Sequence, residues 1–476
     1  MRSFLSIILL CFFSFSYCQN VIISGNNPEY SGDQIFFFKY NDPINKKEEK
    51  LFSFLVNQDG SFSCTFPAVE TIYSFVHLGV FKASIFFEPG HSYEIILPPK
   101  VNKTEAEKLN PYFDEIEIDL GIKTNNKNEL NFLIQELDVL LNNFIDLNIY
   151  KIRQGVFNKK IDTLFFNLND KFSDIQHKYF NNYKKYRFAY IKFLANSRSA
   201  QTIVKHYYSN KEILYRNKAY MDLFNLLFER FLYNYSKEDS GKCLSGSINM
   251  NRGLADVLQC IGNDVNLSGN EFRELVLIKG IHDSFYKNDF SKTSLLFLAE
   301  SLTKDATGKR SKEYSNNLKT KLLQMYPGQK APDFSLNDLS GKINNLKDFS
   351  GHFIYLNFFN SVNYACQKDF ILLNDMHKKY SDILNIVSIS VDNNIDSLQS
   401  FINKNNYQWT ILHFSNQQSI IDTYNVKAYP SYFLIDPEGK VLLSPAPLPS
   451  ESFEDYLLGI RREKHIKELR SGKKDR

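Results

Sequence analysis

Cys366 is the side chain whose sequence surroundings point most directly to covalent chemistry. It lies in Leu356-Asn-Phe-Phe-Asn-Ser-Val-Asn-Tyr-Ala-Cys366-Gln-Lys-Asp-Phe370, where a buried-strand pattern runs through a short loop into a helical one. Unpaired N–H groups at a helix start stabilise a thiolate, so a thiol at such a junction is a candidate nucleophile. Two thiols spaced Cys-X-X-Cys would form a cycle in which the first attacks a disulfide and the second, one turn in, resolves the mixed disulfide. Three residues before Cys366 stands Asn363, whose amide is not a nucleophile, so half of such a pair is missing.

The remaining cysteines depend on where the chain resides. Residues 1–18 carry Arg2, an apolar run from Phe4 to Phe15, and Ser16-Tyr17-Cys18, which together read as a secretory signal. The run is short for a bilayer span, no second run of about 20 apolar residues follows, and cleavage after Cys18 would leave Gln19 first. The rival reading, a lipid anchor on Cys18, places the bulky Tyr17 before the modified residue. Localisation in the periplasm or cell envelope follows as the expectation, and disulfides are permitted there. Beyond the signal, Cys64, Cys243, Cys260 and Cys366 remain. Cys243 and Cys260 are near enough in sequence to close a loop, although two separate buried thiols are the reading favoured for them.

No His-Glu-X-X-His, no phosphate-binding glycine loop and no paired Cys-X-X-Cys is present, and the nine histidines are scattered. No metal and no cofactor is implied. The net charge of +4 resides in the end of the chain: Arg461–Arg476 carries eight Lys/Arg and three Asp/Glu, leaving 49 basic against 50 acidic residues elsewhere. That neutral body excludes a nucleic-acid surface, and the basic tail reads as a solvated end. Aromatic residues make up 15%, with one Trp, which is a packing resource before it is a binding signal.

The elements that must hold Cys366 come last in a multidomain chain. Residues 19–99 show short strands. Leu51–Val56 and Ser61–Phe66 flank Asn57-Gln-Asp-Gly60, while Ile85–Glu88 and Tyr93–Leu97 flank Pro89-Gly90, predicting two hairpins in an antiparallel β-sandwich. Residues 100–326 change to helical spacing, as in Leu130, Leu133, Ile134, Leu137 and Leu141, predicting an all-α module of seven to ten helices. Ser268-Gly-Asn-Glu271 has the form of a capping box, and the stripe Tyr183, Tyr186, Phe188, Tyr190 and Phe193 reads as core before groove. Tyr326-Pro-Gly328 marks a boundary. Residues 327–460 alternate strand and helix: Phe353–Phe359 and Ile386–Val391 as buried strands, Gln367–Tyr380 and Asp396–Asn403 as helices, then a hairpin around Asp436-Pro-Glu-Gly439.

Two signatures in this last region carry a resemblance. Gly328-Gln-Lys-Ala-Pro-Asp-Phe334 with Gly341-Lys, Phe349-Ser-Gly351 and Leu356-Asn-Phe-Phe359, followed by Tyr424-Asn-Val-Lys-Ala-Tyr-Pro430-Ser-Tyr-Phe-Leu-Ile-Asp436, resembles periplasmic thioredoxin-like disulfide reductases and the wider redoxin superfamily that includes peroxiredoxins. The match covers about a quarter of the chain. It implies a C-terminal α/β thioredoxin-like fold, a cis Pro430 facing the active-site loop, and Asn363 and Cys366 at the attacking and resolving positions. Phe359 and Val362 stand where the family usually has tryptophans. The resemblance further implies a surface of Phe359, Asn363, Tyr364, Tyr429 and Pro430 that faces an extended protein or peptide partner. Because the attacking thiol is absent, the expected role is a binding or assembly module. The alternatives are thiol-disulfide exchange through Cys366 with another cysteine, and one-cysteine peroxidase chemistry, in which Asn363-Tyr-Ala-Cys366 replaces a Thr-X-X-Cys.

Overall fold

The structure is a computed structural model and describes residues 19–470 except 109, 111, 196–198, 288 and 416. The expected signal, with Cys11 and Cys18, and the end of the basic tail lie outside the described residues. The chain forms two compact units, one from the chain up to Asn102 with Glu115–Lys319, the other from Lys103–Asp114 with Thr320 onward.

The first unit opens with β1 (Gln19–Asn26), β2 (Gln34–Asp42), β3 (Lys47–Leu55), β4 (Ser61–Ala68), β5 (Ile72–Leu78), β6 (Phe81–Phe87), β7 (Ser92–Ile96), β8 (Ile116–Asp119) and β9 (Gly121–Ile122). They form two sheets, ordered β4-β1-β7-β9 and β3-β2-β5-β6-β8. Neither expected hairpin forms. β3 and β4 belong to different sheets, as do β6 and β7, so the Gly60 and Gly90 turns carry the chain across the sandwich. Ring packing explains the choice: Phe54 of β3 stacks on Phe62 of β4 at 4.6 Å, and Phe52 on Phe66 at 4.5 Å, burying all four rings between the layers. The hairpins that do form are β2–β3 and β5–β6. At the second of these a Cβ on Gly79 would meet the Val101 carbonyl oxygen, which requires glycine there. Two pairings, β1 with β7 and β6 with β8, are parallel, so the sandwich is mixed.

Eleven helices follow between Leu130 and Leu323 among the described residues, more than the seven to ten expected. Part of the surplus arises where the helical pattern through Leu232 breaks at Arg230, whose φ of 52° ends one helix at Leu227 and starts another at Phe231. The expected capping box is absent. Gly269 with φ 85° precedes the helix Asn270–Ser284, and the Ser268 hydroxyl instead accepts from the Asn210 N–H at 2.9 Å. Tyr183, Tyr186 and Phe188 are buried core residues. Cys243 and Cys260 are joined in a disulfide across a Cα separation of 6.0 Å, where separate thiols were the favoured expectation. The bridge clips together the short helices Cys243–Asn249 and Leu254–Ile261.

The second unit contains β10 (Ser335–Asp338), β11 (Ile343–Asn345), β12 (Phe353–Phe359), β13 (Leu384–Ser390), β14 (Thr410–His413), β15 (Ser431–Ile435) and β16 (Val441–Leu443) in one sheet, ordered β11-β10-β14-β13-β12-β15-β16. β12, β13 and β14 run parallel and the outer pairings are antiparallel. Every residue of β12 is buried, as its unbroken apolar run requires of a central strand covered on both faces. A helix over Phe453–Arg470 was not anticipated from the basic tail. Its first two turns are held by Phe453, whose ring stacks on Tyr355 at 3.8 Å, and by the buried Leu457. No helix among the described residues is long and apolar enough to cross a membrane.

Candidate functional site

The site forms where β12 ends. β12 and β13 run in register to Phe359 opposite Ser390, so the loop after one strand lies beside the residues after the other. Asp392, 5% exposed, fixes that loop. Its carboxylate accepts from the Ser361 N–H at 3.1 Å and the Ser361 hydroxyl at 2.8 Å, and from the Ser390 hydroxyl at 2.6 Å. Asn360 closes the turn by accepting from the Val362 N–H at its side-chain oxygen and from the Asn363 N–H at its carbonyl, both at 3.1 Å. The Gln367 side-chain amide reaches back to the Ser361 carbonyl at 2.8 Å.

Asn363 is then placed as the N-cap of the helix Tyr364–Tyr380. Its side-chain oxygen accepts from the N–H groups of Ala365 at 2.9 Å and Cys366 at 3.3 Å. These are the donors that would stabilise a thiolate at this position, and an amide oxygen satisfies them instead. Across the loop, the Tyr429–Pro430 peptide is cis. The pairing of Phe358 in β12 with Ser431 in β15 brings that peptide alongside. The Asn363 side-chain nitrogen donates to the Tyr429 carbonyl at 3.4 Å, a long contact near the limit of a hydrogen bond.

Cys366 faces the other way. It is 1% exposed and packs with Phe359, Phe370 and Leu373 beneath the sheet. Burial pushes its thiol up to about 11, and the charges of Asp369 and Asp392 add to the shift. Native Cys366 is therefore expected to resist iodoacetamide at pH 8 and to react promptly once the chain is unfolded, a contrast that mass mapping of alkylated peptides measures. Rapid labelling of the folded protein at pH 8 would show that the thiol is reached from solvent.

The structure brings Asn363, Tyr429 and Pro430 together, an arrangement that the resemblance implied, and Tyr364 stands beside them, 69% exposed under the Lys368 ammonium at 4.6 Å. Phe359 does not join them. It is 0% exposed and packs on the Phe370 ring at 4.4 Å, because its side chain falls on the helix-covered face of the sheet and not at the strand's open end. Val362, on the loop after β12, is 76% exposed.

Three polar residues at the site escaped sequence reasoning. Asp392 and Ser361 carry the loop anchorage described above. Asp369 is buried, accepts from the Tyr432 hydroxyl at 2.9 Å, and has its carboxyl pushed up by that burial. The available signals were weak: Asp369 follows Cys366 by three residues and so shares its inward helix face, and Asp392 directly follows a buried strand.

A central parallel strand, a helix capped at the strand's end and a cis-proline segment facing the cap define a thioredoxin-like domain. Residues 327–444 match the family model of the AhpC/TSA family. The thiol-disulfide oxidoreductase ResA of Bacillus thuringiensis subsp. konkukian is 32% identical over 143 residues, which are 30% of this chain and 82% of that protein. ResA of Bacillus subtilis is 30% identical over 132 residues, 27% of this chain and 73% of its own length. The thioredoxin domain of a thiol-disulfide oxidoreductase from Bacteroides vulgatus superposes with a TM-score of 0.26 at 21% identity, covering 28% of this chain and 95% of that domain. Through its C-terminal domain the chain belongs to the AhpC/TSA family of thioredoxin-like proteins.

Proposed function

We propose that this is an exported protein of the periplasm or cell envelope whose thioredoxin-like domain binds a protein or peptide partner without running a dithiol cycle. One observation carries the reading: Asn363, and not a thiol, caps the helix and contacts the Tyr429 carbonyl. A dithiol cycle needs its attacking sulfur at that cap, and the sulfur one turn in, Cys366, is buried. The backbone beside Pro430 remains suited to pairing with an extended segment. A carbonyl oxygen has two lone pairs, and the 3.4 Å contact from Asn363 is weak enough for an incoming N–H to displace. Exposed Val362 and Tyr364 supply apolar contact on the same loop.

The purified chain is expected not to accelerate dithiothreitol-driven reduction of insulin above the uncatalysed rate. Turnover near that of an ordinary thioredoxin would end this reading. Exchange through Cys366 with Cys243 or Cys260 fares worse, since a Cys366 thiolate would have to attack their disulfide and that thiol is buried and held protonated. Peroxidase chemistry requires a peroxide to reach a thiolate at Cys366, which burial opposes.

A further inference from the structure

A cavity of about 640 Å³ opens among the helices of the first unit, within the size range of ligand-binding pockets. Its apolar wall comes from Leu254 and Leu258 on the helix Leu254–Ile261 and from Phe297 on the helix Lys292–Asp305. Leu254 and Leu258 are one turn apart, so both face the cavity while Val257, Cys260 and Ile261 turn to the core. The Cys243–Cys260 bridge pins that helix from its buried side. Phe297 is 45% exposed, so the chain itself does not close this wall.

Arg252 and Arg273 line the same cavity. Neither has a carboxylate partner among the described residues: the Arg252 guanidinium reaches only the Met250 sulfur, at 3.7 Å, and Arg273 Nε donates to the Leu267 carbonyl at 2.7 Å. A Cβ at Gly262 would come 2.7 Å from Arg273 Cζ, so the lack of a side chain there gives the guanidinium its seat. With Nε tied, the terminal nitrogens of Arg273 keep their donors for a ligand. Gly253 and Ala255 also line the cavity, and no side chain caps the first N–H groups of their helix. Two carboxylates reach the lining. Glu274 is taken up by the Thr307 N–H and hydroxyl and by the Gly308 N–H, whereas Asp305 accepts no hydrogen bond among the described residues.

We propose that this cavity binds the C-terminal residue of a peptide, an apolar residue whose free carboxylate is held by Arg252 and Arg273. The lining selects that occupant group by group. Two unpaired guanidinium forks match a carboxylate. Leu254, Leu258 and Phe297 match an apolar side chain. Asp305 matches the amide N–H that a peptide carries beside its terminal carboxylate and that a fatty acid lacks. The site belongs to the helices of the first unit, and it stands or falls independently of the role of Asn363.

Isothermal titration of the full chain with N-acetyl-leucine at pH 7 is expected to show saturable binding. N-acetyl-leucinamide, the same body without the charge, should bind at least about tenfold more weakly. The acid should lose as much on Arg252→Ala and on Arg273→Ala, each of which removes a charge-assisted hydrogen bond. Gly262→Ala should weaken binding about as much as Arg273→Ala, because the new methyl displaces the guanidinium. Arg252→Ala should leave the melting temperature within about 2 °C of wild type, so that its loss reads binding and not folding. Octanoate, charged and apolar but without an N–H, should bind at least about threefold more weakly than N-acetyl-leucine, and Asp305→Ala should erase that difference. No binding of N-acetyl-leucine up to about 10 mM, equal binding of acid and amide, or arginine variants that bind as the wild type does, overturns the proposal. Octanoate binding as tightly as N-acetyl-leucine, or more tightly, overturns the peptide assignment and gives the cavity to an amphiphile.

Discussion

Asn363→Cys is expected to convert the domain into a disulfide reductase. The new sulfur would sit at the N-cap of the helix Tyr364–Tyr380, where the N–H groups of Ala365 and Cys366 now donate to the asparagine oxygen. Those donors and the helix terminus lower a thiol from about 8.5 toward 7, which raises the thiolate fraction at neutral pH about tenfold. Cys366 lies one turn further in, at the spacing that resolves a mixed disulfide. Loss of the asparagine side chain also frees the Tyr429 carbonyl to pair with a substrate backbone. The cost is the cap, about 1 kcal/mol, so the variant should fold. Insulin reduction by Asn363→Cys should exceed that of the wild-type chain at least about tenfold, in line with that thiolate gain. Asn363→Ser, which keeps a capping oxygen and adds no thiol, should remain at background. The double variant Asn363→Cys with Cys366→Ser should accumulate a mixed disulfide with the substrate that the single variant clears. If Asn363→Cys is no faster than Asn363→Ser, then more than the attacking sulfur separates this site from a working one, and the buried Cys366 becomes the first suspect.

That experiment follows from a site only partly legible in the sequence. β12 was readable because a central parallel strand is buried on both faces and so needs an unbroken apolar run, as Phe353–Phe359 has. The helix after it was readable over Gln367–Tyr380, and the meeting of Asn363 with Pro430 was implied by the resemblance to thioredoxin-like proteins and not by the residues themselves. Phe359 was misplaced because an unbroken run hides which residues face which layer: alternation, the usual guide, vanishes when both faces are buried. The Gly60 and Gly90 turns misled for a related reason. A short glycine turn between two β-forming segments suits both a hairpin and a crossing between sheets; at Gly60 the stacking of Phe54 on Phe62 and Phe52 on Phe66, and at Gly90 the edge contact of Phe87 with Tyr93, decide between them. Asp392 was invisible because its role depends on Ser361, which comes beside it only through parallel pairing of two strands. The disulfide could be raised from spacing, but its formation depends on a 6.0 Å approach set by helix packing.

Asp392 should be the residue on which the loop depends most. Its buried carboxylate takes the Ser361 N–H, the Ser361 hydroxyl and the Ser390 hydroxyl, and the Asp392 carbonyl lies 2.6 Å from His413 Nε2. Asp392→Ala deletes the acceptor and leaves three donors in a place with little access to water, while the backbone contact to His413 survives. Stranded buried donors cost about 1–3 kcal/mol each when nothing replaces their partner. Ser361 and Ser390 can rotate toward other oxygens, so the net loss should be about 3 kcal/mol, or roughly 10 °C in the melting temperature of a domain of this size. Asp392→Asn, which retains one acceptor oxygen, should lose about half as much. The effect should be local as well: amide exchange at 360–363 should quicken well before that of β12, because the loop's anchor is gone and the strand's ladder is not. A melting temperature within about 2 °C of wild type in Asp392→Ala, with unchanged exchange at Ser361, would mean that the loop is held by the Asn360 turn and the Gln367 side chain alone.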